Sequence, residues 1–143
     1  PFMANLHVSV ITQEQVILDD QVDLVLIPGV EGELGILPHH IPLITTLKAG
    51  VVTVRKNDRD TIIAIGGGFA AMEPGNHLSI LADSAVKAQD ISLKQAEAAR
   101  QRAEEKMHQK DQFSNREFKI AEAELRRAIV ELKVARKHQL HTL

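Results

Sequence analysis

The pattern of hydrophobic and polar residues changes once along this chain, between Ala82 and Asp90. Before that stretch, short apolar runs are separated by glycine and proline. After it neither residue occurs, and alanine mixes with charged residues to the end. Short apolar runs between turn residues are typical of strands, and long alanine-rich runs are typical of helices. The pattern predicts a β + α protein with a β module at residues 3–88 and a helical domain at residues 89–143.

The β module is predicted to contain about ten short strands. Apolar and polar residues alternate over Leu6–Val10, which is the period of a strand with one buried face. The apolar runs Val16–Leu18 and Val22–Ile27 follow, and the polar residues Asp19–Gln21 between them are predicted to turn the chain. Many short strands at regular spacing indicate a flattened β-sandwich or barrel.

Two helices are predicted from their start signals. Ser92 and Gln95 have the spacing of a capping box, and so do Ser114 and Glu117. The second helix keeps one narrow apolar seam, which consists of Phe118, Ala121, Leu125, Ala128, Leu132 and Ala135. Two such helices joined by a short loop predict an antiparallel hairpin. Because alanine buries little surface, we expect the helices to be held together modestly and to be able to separate.

Composition excludes several classes of function. The formal charge is −2, so there is no global basic field for nonspecific binding to nucleic acid or an anionic membrane. The chain has no cysteine, which excludes disulfides and fits a reducing compartment. No apolar run approaches the roughly 20 residues that span a bilayer, and no signal pattern precedes Met3, which resembles a natural start after two added residues. We expect a soluble protein that is not secreted and does not insert into a membrane.

Residue types that often carry chemistry give no catalytic arrangement here. Gly66–Gly68 lacks the Lys-Ser or Lys-Thr of a phosphate loop, so we interpret it as a bulge or a close approach between strands. The adjacent His39 and His40 point to opposite faces of an extended chain and have no third ligand nearby, so no metal site is predicted. Four phenylalanines without tryptophan or tyrosine do not support a stacking platform for nucleic acid.

Three segments carry a resemblance to a known family. Residues 32–43 read GELGILPHHIPL and resemble the GELGILPGHxPL signature of the epsilon subunits of F-type ATP synthases. Residues 65–69, IGGGF, are similar to the family's SGGF, and residues 78–83, LSILAD, to its VTVLAD. With the two-helix tail, the resemblance covers Met3 to about Lys137. It implies a non-catalytic rotor subunit whose β head binds the gamma subunit and the c-ring, and whose helical hairpin folds down or extends.

The resemblance also implies which head residues meet these partners. The loop that faces the c-ring corresponds to Val30, Glu31, Gly32 and Glu33. The gamma-facing histidine of the family corresponds to His40. The neighbouring His39 replaces the family's usual glycine, so the backbone there is not expected to reach positive φ easily, and the loop shape can differ.

A basic face on the second helix is implied in the same way. In the extended form the family's second helix sets cations against an acidic loop of the catalytic beta subunit and blocks rotation in the hydrolysis direction. The corresponding cations are Arg126, Arg127, Lys133 and Arg136. Without the family, the same charges also fit an ordinary solvated face near a helix C-terminus.

Some family members bind ATP through an I/L-D-x-x-R-A motif at the start of the first helix. Here that segment reads ISLKQA, with Ser92 and Gln95 at the positions of the aspartate and the arginine. Both changes remove charge, and Lys94, Arg100 and Arg102 would compensate in part. We therefore expect weak or absent ATP binding and no bound cofactor or metal.

Other readings remain open. A stand-alone nucleotide-sensing or adaptor module is the alternative, and the altered ATP motif argues against it. A small β-sandwich enzyme would need a convergent polar pocket that the sequence does not display. For the rotor subunit, the expected location is the cytoplasmic face of a bacterial membrane, as a peripheral protein. The mitochondrial counterpart, named delta, remains possible by fold, but no transit peptide is seen.

Overall fold

A computed structural model describes the backbone of residues 5–142 and the side chains of residues 5–139 except Lys110. The expected start at Met3 lies outside the described residues. The described strands are β1 (Leu6–Ile11), β2 (Val16–Val22), β3 (Leu24–Gly29), β4 (Gly32–Ile36), β5 (Leu43–Lys56), β6 (Arg59–Glu73), β7 (His77–Ala82) and β8 (Ala85–Lys87). The helices are α1 (Leu93–His108) and α2 (Asn115–Thr142), each preceded by a short 3-10 turn, Ala88–Asp90 and Lys110–Gln112. Two compact units meet in sequence at Lys87 and Ala88.

The eight described strands form a single hydrogen-bonded set in the order β2-β1-β7-β6-β5-β3-β4, with β8 paired to β6. β1 and β7 are parallel, and the other pairs are antiparallel. β6 pairs with β8 near its start and with β7 near its end, so it runs through both halves of the set. The predicted β-sandwich followed by a helical hairpin is confirmed.

The sandwich encloses one apolar core. The alternation predicted for the first strand is confirmed, since Leu6, Val8 and Val10 are completely buried. Branched aliphatic residues from β3, β5, β6 and β7 fill the remainder, among them Ile27, Val52, Ile63, Ile65, Leu78 and Ile80. Burying each of these side chains stabilises the fold by about 1.5–3 kcal/mol, so the head has a core of its own.

The number of strands differs from the expected ten because two of them are long. β5 has 14 residues and β6 has 15, and β6 continues through Gly66–Gly68. The close approach predicted for these glycines is present: Gly68 has φ +145°, and a Cβ there would lie 2.1 Å from the carbonyl oxygen of Leu81. Only glycine fits at this position, where β6 passes from β8 to β7.

The predicted turn at Asp19–Gln21 is wrong. These residues continue β2 and pair with β1, with Asp19 opposite Ser9. β2 lies at the end of the strand order, and its acidic side chains are partly or fully exposed. Asp20 accepts a hydrogen bond from Lys56 Nζ at 3.0 Å, which lowers the pKa of the Asp20 carboxyl below its ordinary value of 3.8. The polar run therefore reflects an edge strand with solvated charges, which is a common way to protect a sheet edge.

The helical unit follows its predicted start signals. Ser92 Oγ accepts a hydrogen bond from the Gln95 backbone N–H at 3.2 Å, and Ser114 Oγ accepts one from Glu117 N–H at 3.2 Å. The two helices pack along a seam in which alanine predominates. Its buried residues include Ala96 and Ala103 from α1 and Ala121, Ala128, Leu132 and Ala135 from α2. Because alanine side chains are small, this seam removes less apolar surface from water than the head core does.

Candidate interaction surfaces

The four residues assigned to the c-ring form one exposed hairpin tip. Gly29 pairs with Gly32, which leaves Val30 and Glu31 as a two-residue connection between β3 and β4. Gly32 has φ +138°, a conformation that favours glycine. The Val30 N–H donates to the Thr46 carbonyl at 3.1 Å and anchors the tip to β5. The Val30 side chain is 54% exposed, so the tip presents an apolar residue flanked by acids.

The acids of this tip, Glu31 and Glu33, are both exposed. Neither makes an ion pair with another residue in the part of the chain that the structure describes. Their carboxylates can therefore bind a partner without first breaking an ion pair within this chain.

The loop between β4 and β5 corrects the expectation for His39. This residue adopts φ +65°, in the left-handed region, although it is not glycine. Its backbone N–H donates to Asn76 Oδ1 at 2.6 Å, and the Asn76 amide in turn donates to the Asn5 carbonyl. A non-glycine residue in this region costs about 1–2 kcal/mol, and the hydrogen bond to Asn76 offsets part of this cost. The loop thus reaches the positive φ that the missing glycine would have adopted easily.

His40 lies beside this strained residue and is half-buried. Its Nδ1 lies 2.8 Å from the Ile41 carbonyl oxygen, so the arrangement assigns the proton to Nδ1. Ile41 is exposed, and so is Leu37 at the start of the loop. His40 therefore belongs to a mixed polar and apolar surface.

A further surface on the head was not found from the sequence. Ile44, Phe69 and Leu81 are 82%, 56% and 56% exposed. Phe69 lies directly opposite Leu81 on β7 and opposite Thr46 on β5, and Ile44 is two residues from Thr46 on the same side of β5. We call these three residues the apolar face. A cluster of large exposed apolar side chains marks an interaction site more often than a free surface. Recognising it required the strand register, which local patterns do not contain.

The cations assigned to the basic face of α2 are all exposed but do not share one line along the helix. Arg126 and Lys133 are seven residues apart and point the same way. Arg127 and Arg136 are nine residues apart, which separates them by about 180° around the axis. Each arginine is paired: Arg126 with Glu122 at 3.0 Å, Arg127 with Glu131 at 2.8 Å, and Arg136 with Glu97 at 3.2 Å.

Two of the four residues considered for a nucleotide site are engaged within α1, and the other two are exposed. Ser92 is used as the N-cap of α1. The Arg100 guanidinium is occupied by Glu97, and by Glu104 at 2.8 Å, and these hydrogen bonds raise the pKa of Arg100. Gln95 and Arg102 are exposed and lie two turns apart along the helix.

The described residues include one serine–histidine–carboxylate contact: Ser9 Oγ lies 3.0 Å from His77 Nε2, and His77 Nδ1 lies 3.2 Å from Glu73 Oε2. Ser9 is only 6% exposed, so its hydroxyl is buried within the head.

No group of three or more histidines or acids in the described residues is suited to hold a metal ion. An open groove of about 500 Å³ near the start of α2 is lined by Asn115, Arg116, Lys119, Ile120 and Ala123, which include no nucleophile paired with a base. No helix within residues 5–142 is both long and apolar enough to cross a membrane.

The β-sandwich presents exposed apolar and acidic side chains, and the helical hairpin that follows it packs along a seam of mostly alanine. This combination is typical of subunits that act by binding other proteins. The sequence model for the ATP synthase delta/epsilon chain β-sandwich domain matches residues 5–88, and the model for the long α-helix domain of the same chains matches residues 89–136. The chain belongs to the ATP synthase delta/epsilon chain family, as its motifs predicted. It is thus a non-catalytic subunit of an ATP synthase.

Curated relatives and solved structures agree with this assignment. The chain is 42% identical over 133 residues to the ATP synthase epsilon chain of Halalkalibacterium halodurans, covering 93% of this chain and 98% of that one. It is 40% identical over 139 residues to the epsilon chain of Dehalococcoides mccartyi, covering 97% and 98%. A chain in the Euglena gracilis mitochondrial ATP synthase structure, OSCP/F1/c-ring, has the same fold with a TM-score of 0.73 at 22% identity, covering 89% of this chain and 79% of that chain.

Replacing His39 with glycine tests the strain in the loop. Glycine reaches positive φ freely but loses more backbone entropy on folding, so we expect His39→Gly to raise the free energy of unfolding by about 0.5–1 kcal/mol. Urea denaturation measures this change. The control His39→Ala keeps the strain and should give no gain. Equal stabilities of the two variants would contradict the proposed strain at His39.

Proposed function

We propose that this chain is a rotor subunit that couples the catalytic head of an F-type ATP synthase to its c-ring and restrains ATP hydrolysis through its C-terminal helices. The observation that carries this proposal is the alanine-rich seam of the hairpin, beside exposed cations on α2. A hairpin with so little buried apolar surface can open, while the aliphatic core keeps the head folded.

The head supplies two docking surfaces. The β3–β4 tip, Val30 to Glu33, projects one apolar side chain and two unpaired carboxylates toward the c-ring. The apolar face and His40 meet the gamma subunit. An interface of this kind buries large apolar side chains at its centre and keeps polar groups at its rim, which suits Phe69 and Leu81 as central residues.

The hairpin supplies the regulation. In the compact state α1 and α2 pack along the alanine seam. In the extended state the seam opens, α2 lies beside gamma, and its cations meet the acidic loop of the beta subunit. The populations of the two states depend on a difference in free energy. Opening loses the stabilisation of the alanine seam and gains that of the new charge pairs.

The chain acts without a bound cofactor, and ATP is not a strong ligand of its helices. Ser92 and Gln95 lack the charges of the family's motif, and Arg100 is already engaged by two glutamates. The protein works at the cytoplasmic face of a bacterial membrane, as a peripheral subunit that binds other proteins and not nucleic acid.

The apolar face is tested by Phe69→Asp. Losing the burial of one large apolar side chain and adding a charge should weaken binding to the cognate gamma subunit by at least tenfold, measured by titration calorimetry. The matched control is Val16→Asp, since Val16 is 58% exposed but lies on the edge strand β2. Equal binding by both variants would remove the apolar face from the interface.

Inhibition is tested by ATP hydrolysis of the cognate catalytic complex, reconstituted with the full chain or with a chain truncated after Ala88. The truncation keeps the head core, so it should bind equally well. We expect the full chain to suppress hydrolysis and the truncated chain to relieve that suppression. If both bind and neither inhibits, the inhibitory part of the proposal is wrong.

Nucleotide binding is tested by calorimetric titration of ATP into the full chain. We expect no binding at micromolar concentration. The double variant Ser92→Asp/Gln95→Arg, which returns both residues of the family motif, should bind more tightly than the wild type. Micromolar affinity of the wild type would instead favour the alternative, a nucleotide-sensing module.

A further inference from the structure

The ion pairs of Arg126, Arg127 and Arg136 respond differently when the hairpin opens. Glu122 and Glu131 lie on α2 itself, four residues from Arg126 and Arg127. These two pairs move with α2 and persist whether or not α1 is nearby. Opening the hairpin therefore does not itself break the ion pairs of Arg126 and Arg127.

Arg136 is different because its partner lies on the other helix. Its Nη2 donates to Glu97 Oε2 at 3.2 Å, across 39 residues of sequence. Among the residues that the structure describes, this is the one ion pair that joins α1 to α2. Separation of the helices must break it.

The carboxylate of Glu97 is held in place from its own helix. Its Oε1 accepts hydrogen bonds from Arg100 Nε at 2.9 Å and from Arg100 Nη2. Arg100 is in turn held by Glu104, whose Oε1 accepts from Nη1 at 2.8 Å. Arg100 thus fixes one oxygen of Glu97 and leaves the other, Oε2, for Arg136. A carboxylate held in this way loses less side-chain entropy when it pairs with Arg136.

We propose that Glu97 is an internal competitor for Arg136. In the closed hairpin it occupies the guanidinium, and in the open hairpin it releases it to an acidic surface on a partner protein. Among the three arginines assigned to the basic face of α2, Arg136 is then the one whose guanidinium is available to a partner only when the hairpin is open. The partner in this statement rests on the proposed function, whereas the closure of the hairpin by Glu97 does not.

The pair is half-exposed, since the Arg136 side chain is 64% and the Glu97 side chain 39% accessible. Exposed pairs of this kind shift an equilibrium by only about two- to fivefold. Such a factor matters here because the alanine seam opposes opening weakly. A strong pair would keep the hairpin closed in every condition. With a weak pair, binding to partner proteins can shift the equilibrium between the closed and the open hairpin.

The first test measures the hairpin in the isolated full chain. The chain has no native cysteine, so spin labels can be attached at Gln101→Cys on α1 and Lys137→Cys on α2. Pulsed electron paramagnetic resonance then gives the fraction of molecules with separated helices. Glu97→Gln should raise the ratio of open to closed molecules about two- to fivefold at low salt, with a smaller effect at high salt.

The matched control is Glu122→Gln, which breaks the Arg126 pair within α2 and should leave the ratio unchanged. In an Arg136→Gln background, Glu97→Gln should have little further effect. If Glu97→Gln leaves the label distances unchanged, or acts equally with and without Arg136, the proposal is overturned.

The second test uses ATP hydrolysis by the reconstituted catalytic complex. Glu97→Gln should inhibit at a two- to fivefold lower concentration than the wild type, and only when Arg136 is present. If the wild type inhibits but Glu97→Gln does so no better, the competitor role is overturned. If neither inhibits while the label distances change as expected, the proposed inhibitory function fails and the role of Glu97 in closing the hairpin stands.

Discussion

The pairing of β5 with β6 is the interaction on which the head depends. The two strands remain in register from Leu43 opposite Met72 to Lys56 opposite Arg59. A two-residue turn, Asn57 and Asp58, joins them, and both residues have the positive φ that such a turn requires. β3 pairs with β5, and β7 and β8 pair with β6, so their positions follow from this hairpin. A slip of one residue would invert the faces of the long strands and remove both the core and the apolar face.

The two units of the chain differ in the size of the apolar side chains that they bury. The head fills its interior with leucine, isoleucine and valine, whereas the hairpin has a seam of mostly alanine. The same chain therefore combines a β-sandwich that has a large aliphatic core with a helical pair that removes less apolar surface from water. Charged residues on the hairpin compensate in part, and the pair between Glu97 and Arg136 crosses the seam at its side.

Features set by neighbouring residues could be predicted from the sequence, and those set by distant residues could not. The capping boxes at Ser92 and Ser114 and the alternation in β1 are local, so short patterns contain them. The edge strand through Asp19 and the apolar face depend on which strands become neighbours. The positive φ of His39 depends on Asn76, 37 residues away. The motifs identified the family because they combine residues from several of these distant positions.

Asn76 connects three parts of the head that are far apart in sequence. Its carbonyl accepts from the His7 N–H at 3.0 Å, and its side chain bonds to His39 and to Asn5. Apart from the strands β4 and β5 on either side of it, the loop around His39 is tied to the start of β1 through this one side chain. Loss of this amide group would let the loop and the start of β1 move independently of each other, while the aliphatic core keeps the head folded.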